Sequence, residues 1–267
     1  MRKIIIMFFV FSTVMIHGQE KLPKELIRQK NDSILAEGNL LYKYEKAAWT
    51  STDLAMSIKE VKDNFGGYLI YQSGDSIKAI ILGKKHQDCI YEMTFFHDMI
   101  NPYKESLVGR KLSDEEEKLQ AMKTTIMDKV LTPAYHVTCI EGYNLTIELI
   151  PYEAGYKLYI LTGTSKHDII PTGNDYIFFC DKTGEINSWR KFHSILIATK
   201  TKIEGQKVRS IIHSHLRAEV FITASDICTF RLYGAYYGLK QFKVLSTALS
   251  KTFTYDADKN TIEEEDI

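Results

Sequence analysis

Ile211-Ile-His213-Ser-His215 places two imidazoles two residues apart in a β-branched run, and Asp226 follows after ten further residues. In a strand, residues i and i+2 point to the same face, so His213 and His215 project together, as two ligands of one metal ion must. Asp226, at the mouth of a predicted helix, can supply a third, oxygen ligand. A fourth position is then left for a water, whose pKa the metal lowers toward neutrality. Two other assignments fit the same residues. Thr223-Ala-Ser-Asp226 is a capping box, which accounts for Asp226 without a metal, and the histidines can hydrogen-bond within a strand edge. His193, in Lys191-Phe-His193-Ser194 on a predicted strand, can also complete a three-histidine site, which would bind rather than hydrolyse.

His213-Ser-His215, ten residues and then Asp226 resemble the H-x-H-x(10)-D motif of the JAMM/MPN/JAB zinc metallopeptidases. Thr223-Ala-Ser-Asp226 is similar to the S-x-x-D of that family, with the hydroxyl kept. The predicted order of a helix, Phe242-Lys-Val-Leu-Ser246 and a closing strand is similar too. The resemblance covers residues 208–255, with Leu216 standing where the family has proline. It implies zinc held by His213, His215 and Asp226, hydrolysis of an amide or isopeptide bond, and a glutamate as general base. Glu153, in Glu153-Ala-Gly155-Tyr-Lys-Leu158, is the catalytic candidate. No G-x-S-x-G elbow, phosphate-binding glycine loop or dinucleotide fingerprint is present, so no organic cofactor is expected.

The elements that must position these residues follow from hydrophobic period. Residues 22–62 repeat apolar positions at helical spacing, with an interruption expected at Gly38-Asn39 and a loop at Trp49-Thr-Ser-Thr-Asp53. Strands are expected at 68–71, 77–82 and 90–96, and Ser113 with the acidic residues after it opens a helix to about 129. Further strands are expected at 135–140, 145–150, 156–161, 176–180, 186–197 and 208–215, with a hairpin turn at Asp181-Lys-Thr-Gly184. Asp175, in Gly173-Asn174-Asp175, reads as a turn residue. A helix over 224–237, strands at 242–245 and 252–255, and a solvated acidic tail at 263–266 complete the chain. The fold class is α+β: N-terminal helices with antiparallel strands, then a strand-rich C-terminal region with one long helix after the His-x-His strand. Pro133 marks the seam between a 20–133 region and a 134–267 region.

The 34 basic and 34 acidic side chains of the 267 residues cancel, which removes any general pull toward nucleic acid or an anionic membrane. Residues 1–19 have the charged start, apolar run and small-residue end of a signal peptide, so the mature protein is expected to be exported, periplasmic or secreted, and not membrane-spanning. No C-x-x-C pair occurs, and Cys89, Cys139, Cys180 and Cys228 each sit in apolar context, as buried free thiols do. Two functions from different classes remain: an exported zinc hydrolase of JAMM type, or a non-catalytic exported binding or structural protein of the cell envelope with an unidentified protein or peptide partner.

Overall fold

A computed structural model describes residues 22–96, 99–215 and 217–267. The expected signal segment and Leu216 lie outside the described residues. The fold is α+β. In chain order it has α1 (Lys24–Ser57), α2 (Lys59–Asn64), β1 (Phe65–Ser73), β2 (Ser76–Gly83), β3 (Asp88–Phe95), the short β4 (Lys104–Ser106) and β5 (Arg110–Lys111), and α3 (Asp114–Val130). There follow β6 (Asn144–Tyr152), β7 (Gly155–Gly163), β8 (Ile169–Gly173), β9 (Tyr176–Asp181), β10 (Ile186–Lys191), β11 (Leu196–Lys200), β12 (Lys202–Ile203) and β13 (Gln206–Lys207). The chain closes with β14 (Ile211–His215), α4 (Ala224–Thr229), β15 (Gln241–Ser246), β16 (Lys251–Asp256) and β17 (Thr261–Asp266).

Three sheets carry the molecule. β1-β2-β3-β4 is antiparallel, with β5 also on β3; β10-β9-β7-β6 is a second antiparallel sheet. In the third, order β14-β15-β16-β17, the first pair is parallel because α4 carries the chain across between the two strands. A two-stranded ribbon, β11-β8, extends from the β9–β10 hairpin, so one long pair of strands is kinked where residues 174–175 face residues 192–195. One hydrophobic core joins Leu41 and Tyr44 of α1, Tyr91 and Met93 of β3, and Ile150, Tyr159 and Cys228. The regions on either side of Pro133 therefore share a core.

Several local expectations are corrected. α1 runs unbroken through Gly38 and residues 49–53, because the chain there is buried against neighbours rather than turning: Ala47, Ala48, Ser51 and Ala55 are all buried. Residues 135–140 form no strand; a 3-10 turn, Pro133–Tyr135, is followed by irregular chain with no sheet partner. The long helix of the protein is α1, not the one after the His-x-His strand, which has six α-helical residues and then a π turn, Phe230–Gly234. Residues 261–266 pair with β16 as an edge strand instead of fraying. Its run of glutamates suits an edge, where charge discourages further pairing. All four cysteines are free, but Cys139 is exposed; Cys89, Cys180 and Cys228 are buried as expected.

Gly38 explains how α4 is held. A Cβ there would lie 2.8 Å from Ile227 Cβ and 3.2 Å from the Ala224 carbonyl oxygen, so only glycine lets α1 and α4 touch backbone to side chain. Gly38→Leu would gain about 0.8–1 kcal/mol of helix propensity. Net destabilisation of about 1–3 kcal/mol is nevertheless expected from overpacking against α4. A lowered urea midpoint with an unchanged slope is the measurement that shows it.

Candidate metal centre

His213 and His215 lie on β14, where the inward and outward residues alternate: Ile211, His213 and His215 are buried, Ile212 and Ser214 are exposed. The shared face expected from the spacing is therefore present. Asp226 is the third residue of α4 and is 1% exposed. The fourth member is His193, from the irregular stretch between β10 and β11. It was expected within a single strand over 186–197, but the strand stops at Lys191 and resumes at Leu196, and the break turns the imidazole inward. Gly173 makes room for that break. At φ +91° it takes a conformation that side chains disfavour, and a Cβ on it would lie 2.4 Å from the Ile195 carbonyl oxygen and 3.0 Å from His193 Cβ.

The four side chains converge. His193, His213, His215 and Asp226 each offer one ligand atom, and these atoms all lie within 4.8 Å of one another. The three Nε2 atoms are 2.8 Å (His213–His215), 2.9 Å (His193–His215) and 3.2 Å (His193–His213) apart. Asp226 Oδ1 is 3.4 Å from His193 Nε2 and 3.6 Å from His213 Nε2. Tetrahedral coordination with metal–nitrogen bonds of about 2.0–2.1 Å puts ligand atoms about 3.3 Å apart. The observed separations bracket that value.

Hydrogen bonds behind the rings fix where the lone pairs point. A carboxylate and a carbonyl can only accept, so His193 Nδ1 donates to Asp175 Oδ1 (2.8 Å) and His215 Nδ1 donates to the Phe221 carbonyl oxygen (2.6 Å). In the neutral rings both Nε2 atoms are then bare acceptors facing each other at 2.9 Å, an arrangement that is repulsive unless a proton or a cation lies between them. Asp175 in turn accepts from Ser225 Oγ, which ties α4 to His193. Carboxylate–histidine pairs of this kind orient metal ligands and set their tautomer.

Asp226 serves two roles with two oxygens. Oδ2 accepts from the Thr223 amide (2.9 Å) and hydroxyl (2.8 Å), closing the capping box. Oδ1 is buried and accepts no hydrogen bond among the described residues. Helix capping and metal ligation are therefore not alternatives at this residue.

Electrostatics fit the same picture. Burial alone would depress His193, but the carboxylates of Asp175 and Asp226 outweigh it and raise the imidazole to about 9. Burial pushes His213 down to about 4 and lowers His215 as well. Burial would raise Asp226, yet the three histidines hold it below the usual carboxylate range. The cluster thus carries one imidazolium, two neutral imidazoles and an ionised carboxylate, with a cation already favoured at its centre.

Glu153 is not brought to this group. It is exposed in the turn between β6 and β7. Its neighbour Gly155 pairs with Asp181, at the far end of β9 from Asp175. Five residues at about 3.3–3.4 Å each put the two ends roughly 17 Å apart. The carboxylate whose charge does reach His193 and Asp226 is Glu219, half-buried in the loop before α4, raised by burial, and paired with Arg190 at 3.4 Å. Neither Glu219 nor the pairing role of Asp175 was evident from sequence. A hairpin turn at 181–184 alone would set residue 175 opposite residue 190; the bulge between Ile186 and Ser188 shifts the register so that the Phe192 amide donates to the Asp175 carbonyl.

No protein-family model, curated protein or solved structure matches this chain. Among the described residues no helix is long and apolar enough to cross a membrane.

Because Asp175 acts through His193 and touches none of the other three ligands' inward atoms, Asp175→Asn is expected to weaken metal binding about 10–100-fold while the fold is kept. Titration of the variant with zinc, alongside its circular dichroism spectrum, checks both halves of that statement.

Proposed function

We propose that the protein is an exported zinc protein in which His193, His213, His215 and Asp226 form a closed, structural metal site, and that it acts as a non-catalytic binding or structural protein of the cell envelope. The observation that carries this reading is the fourth ligand. Four protein donors complete a tetrahedral shell, which is the pattern of structural zinc, whereas catalytic sites keep three and leave a position for water. Imidazole and carboxylate donors suit zinc among the first-row divalent ions. The ion would join three separate segments: the 192–195 break, β14 and α4.

The experiment is metal analysis of gently purified protein, followed by titration. One equivalent of zinc is expected, and less than about a tenth of an equivalent with no uptake on titration would sink the proposal. Binding should weaken as pH falls, because the ion must displace the proton held on His193 and keep the other rings neutral.

A JAMM-type hydrolase is the second reading. It is favoured by the convergence of His213, His215 and Asp226, together with the parallel β14–α4–β15 order. It needs His193 to leave a coordination position open, and a base nearer than Glu153, for which Glu219 is the available carboxylate. His193→Ala separates the two readings. A closed site loses about 60- to 700-fold in zinc affinity, since one ligand in four carries about a quarter of 10–16 kcal/mol. A three-ligand hydrolytic site keeps its zinc.

A further inference from the structure

We propose that Lys123 is the reactive amine of a separate small-molecule pocket, and that it condenses with an aldehyde or ketone whose remaining body is apolar. The pocket is a cavity of about 400 Å³ between α3, the start of β1 and the edge strand β6. Its walls are mainly apolar, with Phe65, Leu82, Met127, Leu131, Leu145 and Ile147 among them, and His86, Gln120, Thr124 and Asp128 add polar groups. None of the four candidate metal ligands lines it.

Lys123 lines this cavity and is 8% exposed. Lysines that deep in a protein are ordinarily paired, because an unpaired buried charge is costly. Lys123 has no carboxylate within 4.0 Å and no hydrogen bond among the described residues; its Nζ rests 4.6 Å from the centre of the Tyr68 ring, another wall of the pocket. Two fully buried carboxyls, Glu45 and Glu148, share the interior behind it. Burial pushes Lys123 down and both glutamates up, while the charges of Glu148 and Glu45 act to raise the lysine. An amine desolvated in an apolar pocket is an activated nucleophile.

The step is an ordinary condensation. The Nζ lone pair attacks the carbonyl carbon, forming a C–N bond as the C=O π pair moves to oxygen. Two protons pass from the nitrogen to that oxygen through solvent, and it departs as water carrying both former N–H protons while the C=N bond forms. No oxidant or reductant takes part.

The test uses the full chain with benzaldehyde as probe, sodium borohydride to trap any imine, and peptide mass mapping to locate it. The first adduct, approaching one per chain, is expected on Lys123, ahead of exposed lysines such as Lys59 and Lys84. Labelling spread over the exposed lysines with Lys123 unmodified would overturn the proposal. So would a benzaldehyde-induced rise in melting temperature with no trapped adduct, which marks binding without condensation. Met127→Trp fills the cavity from its α3 wall and leaves Lys123 itself in the sequence. It should cut Lys123 labelling at least tenfold while its unfolding temperature shows the fold intact, and undiminished labelling in that folded variant would also refute the pocket.

Discussion

Removing zinc with excess EDTA is expected to lower the unfolding temperature of the zinc-loaded protein by roughly 10 °C. At free zinc about a thousandfold above its dissociation constant, binding to the folded state alone contributes about 4 kcal/mol. For a chain of this size each kcal/mol moves the midpoint by about 2–4 °C. The structural reason is that the metal-free cluster is poorly satisfied. Three Nε2 atoms lie within 3.2 Å of one another, and Asp226 Oδ1 accepts no hydrogen bond among the described residues, so an ion would satisfy together groups that the metal-free cluster can meet only with the proton on His193. The 192–195 break would gain from it as well, since besides two backbone hydrogen bonds, Phe192 amide to Asp175 carbonyl and Asn174 amide to Ile195 carbonyl, its side-chain anchor is the His193–Asp175 pair. Differential scanning calorimetry with and without chelator makes the measurement. A midpoint indifferent to both EDTA and added zinc would mean that the four side chains hold only a shared proton.

Replacing Asp226 should divide its two roles. Asp226→Ala and Asp226→Asn are both expected to lose about 60- to 700-fold in zinc affinity, because each removes the Oδ1 carboxylate proposed as a ligand. Only Asp226→Ala also loses the acceptor for the Thr223 amide and hydroxyl, so the metal-free Ala variant should be less stable than the metal-free Asn variant by about 1 kcal/mol, the usual worth of a cap. Urea titrations in EDTA isolate the cap, and zinc titrations isolate the ligand. An Asn variant that keeps wild-type zinc affinity would remove Oδ1 from the coordination shell. Equal metal-free stabilities would mean that the capping box contributes nothing measurable.

Much of the site was legible in the sequence because its rules are local. A period of two decides that His213 and His215 share a face, and Thr223-x-x-Asp226 decides that a helix starts where it does; both are properties of a few consecutive residues. The α+β class, the hairpins of the first sheet and the Ser113 cap follow from the same short-range signals. What the sequence could not decide is which distant segments meet. His193 lies twenty residues before His213 and reaches it only because the long β9–β10 and β8–β11 ribbon kinks at Gly173 and 192–195, a break that local β propensity gives no reason to expect. The unbroken α1 likewise overrides the local signals of Gly38 and residues 49–53, because packing against α4 and the first sheet stabilises a helix that the local sequence would leave interrupted. That His213, His215 and Asp226 could come together was legible from spacing alone. The approach of His193 to them, the Asp175 support behind it and the distance of Glu153 were decided by tertiary contacts, since strand register and helix docking depend on burial summed over the whole chain.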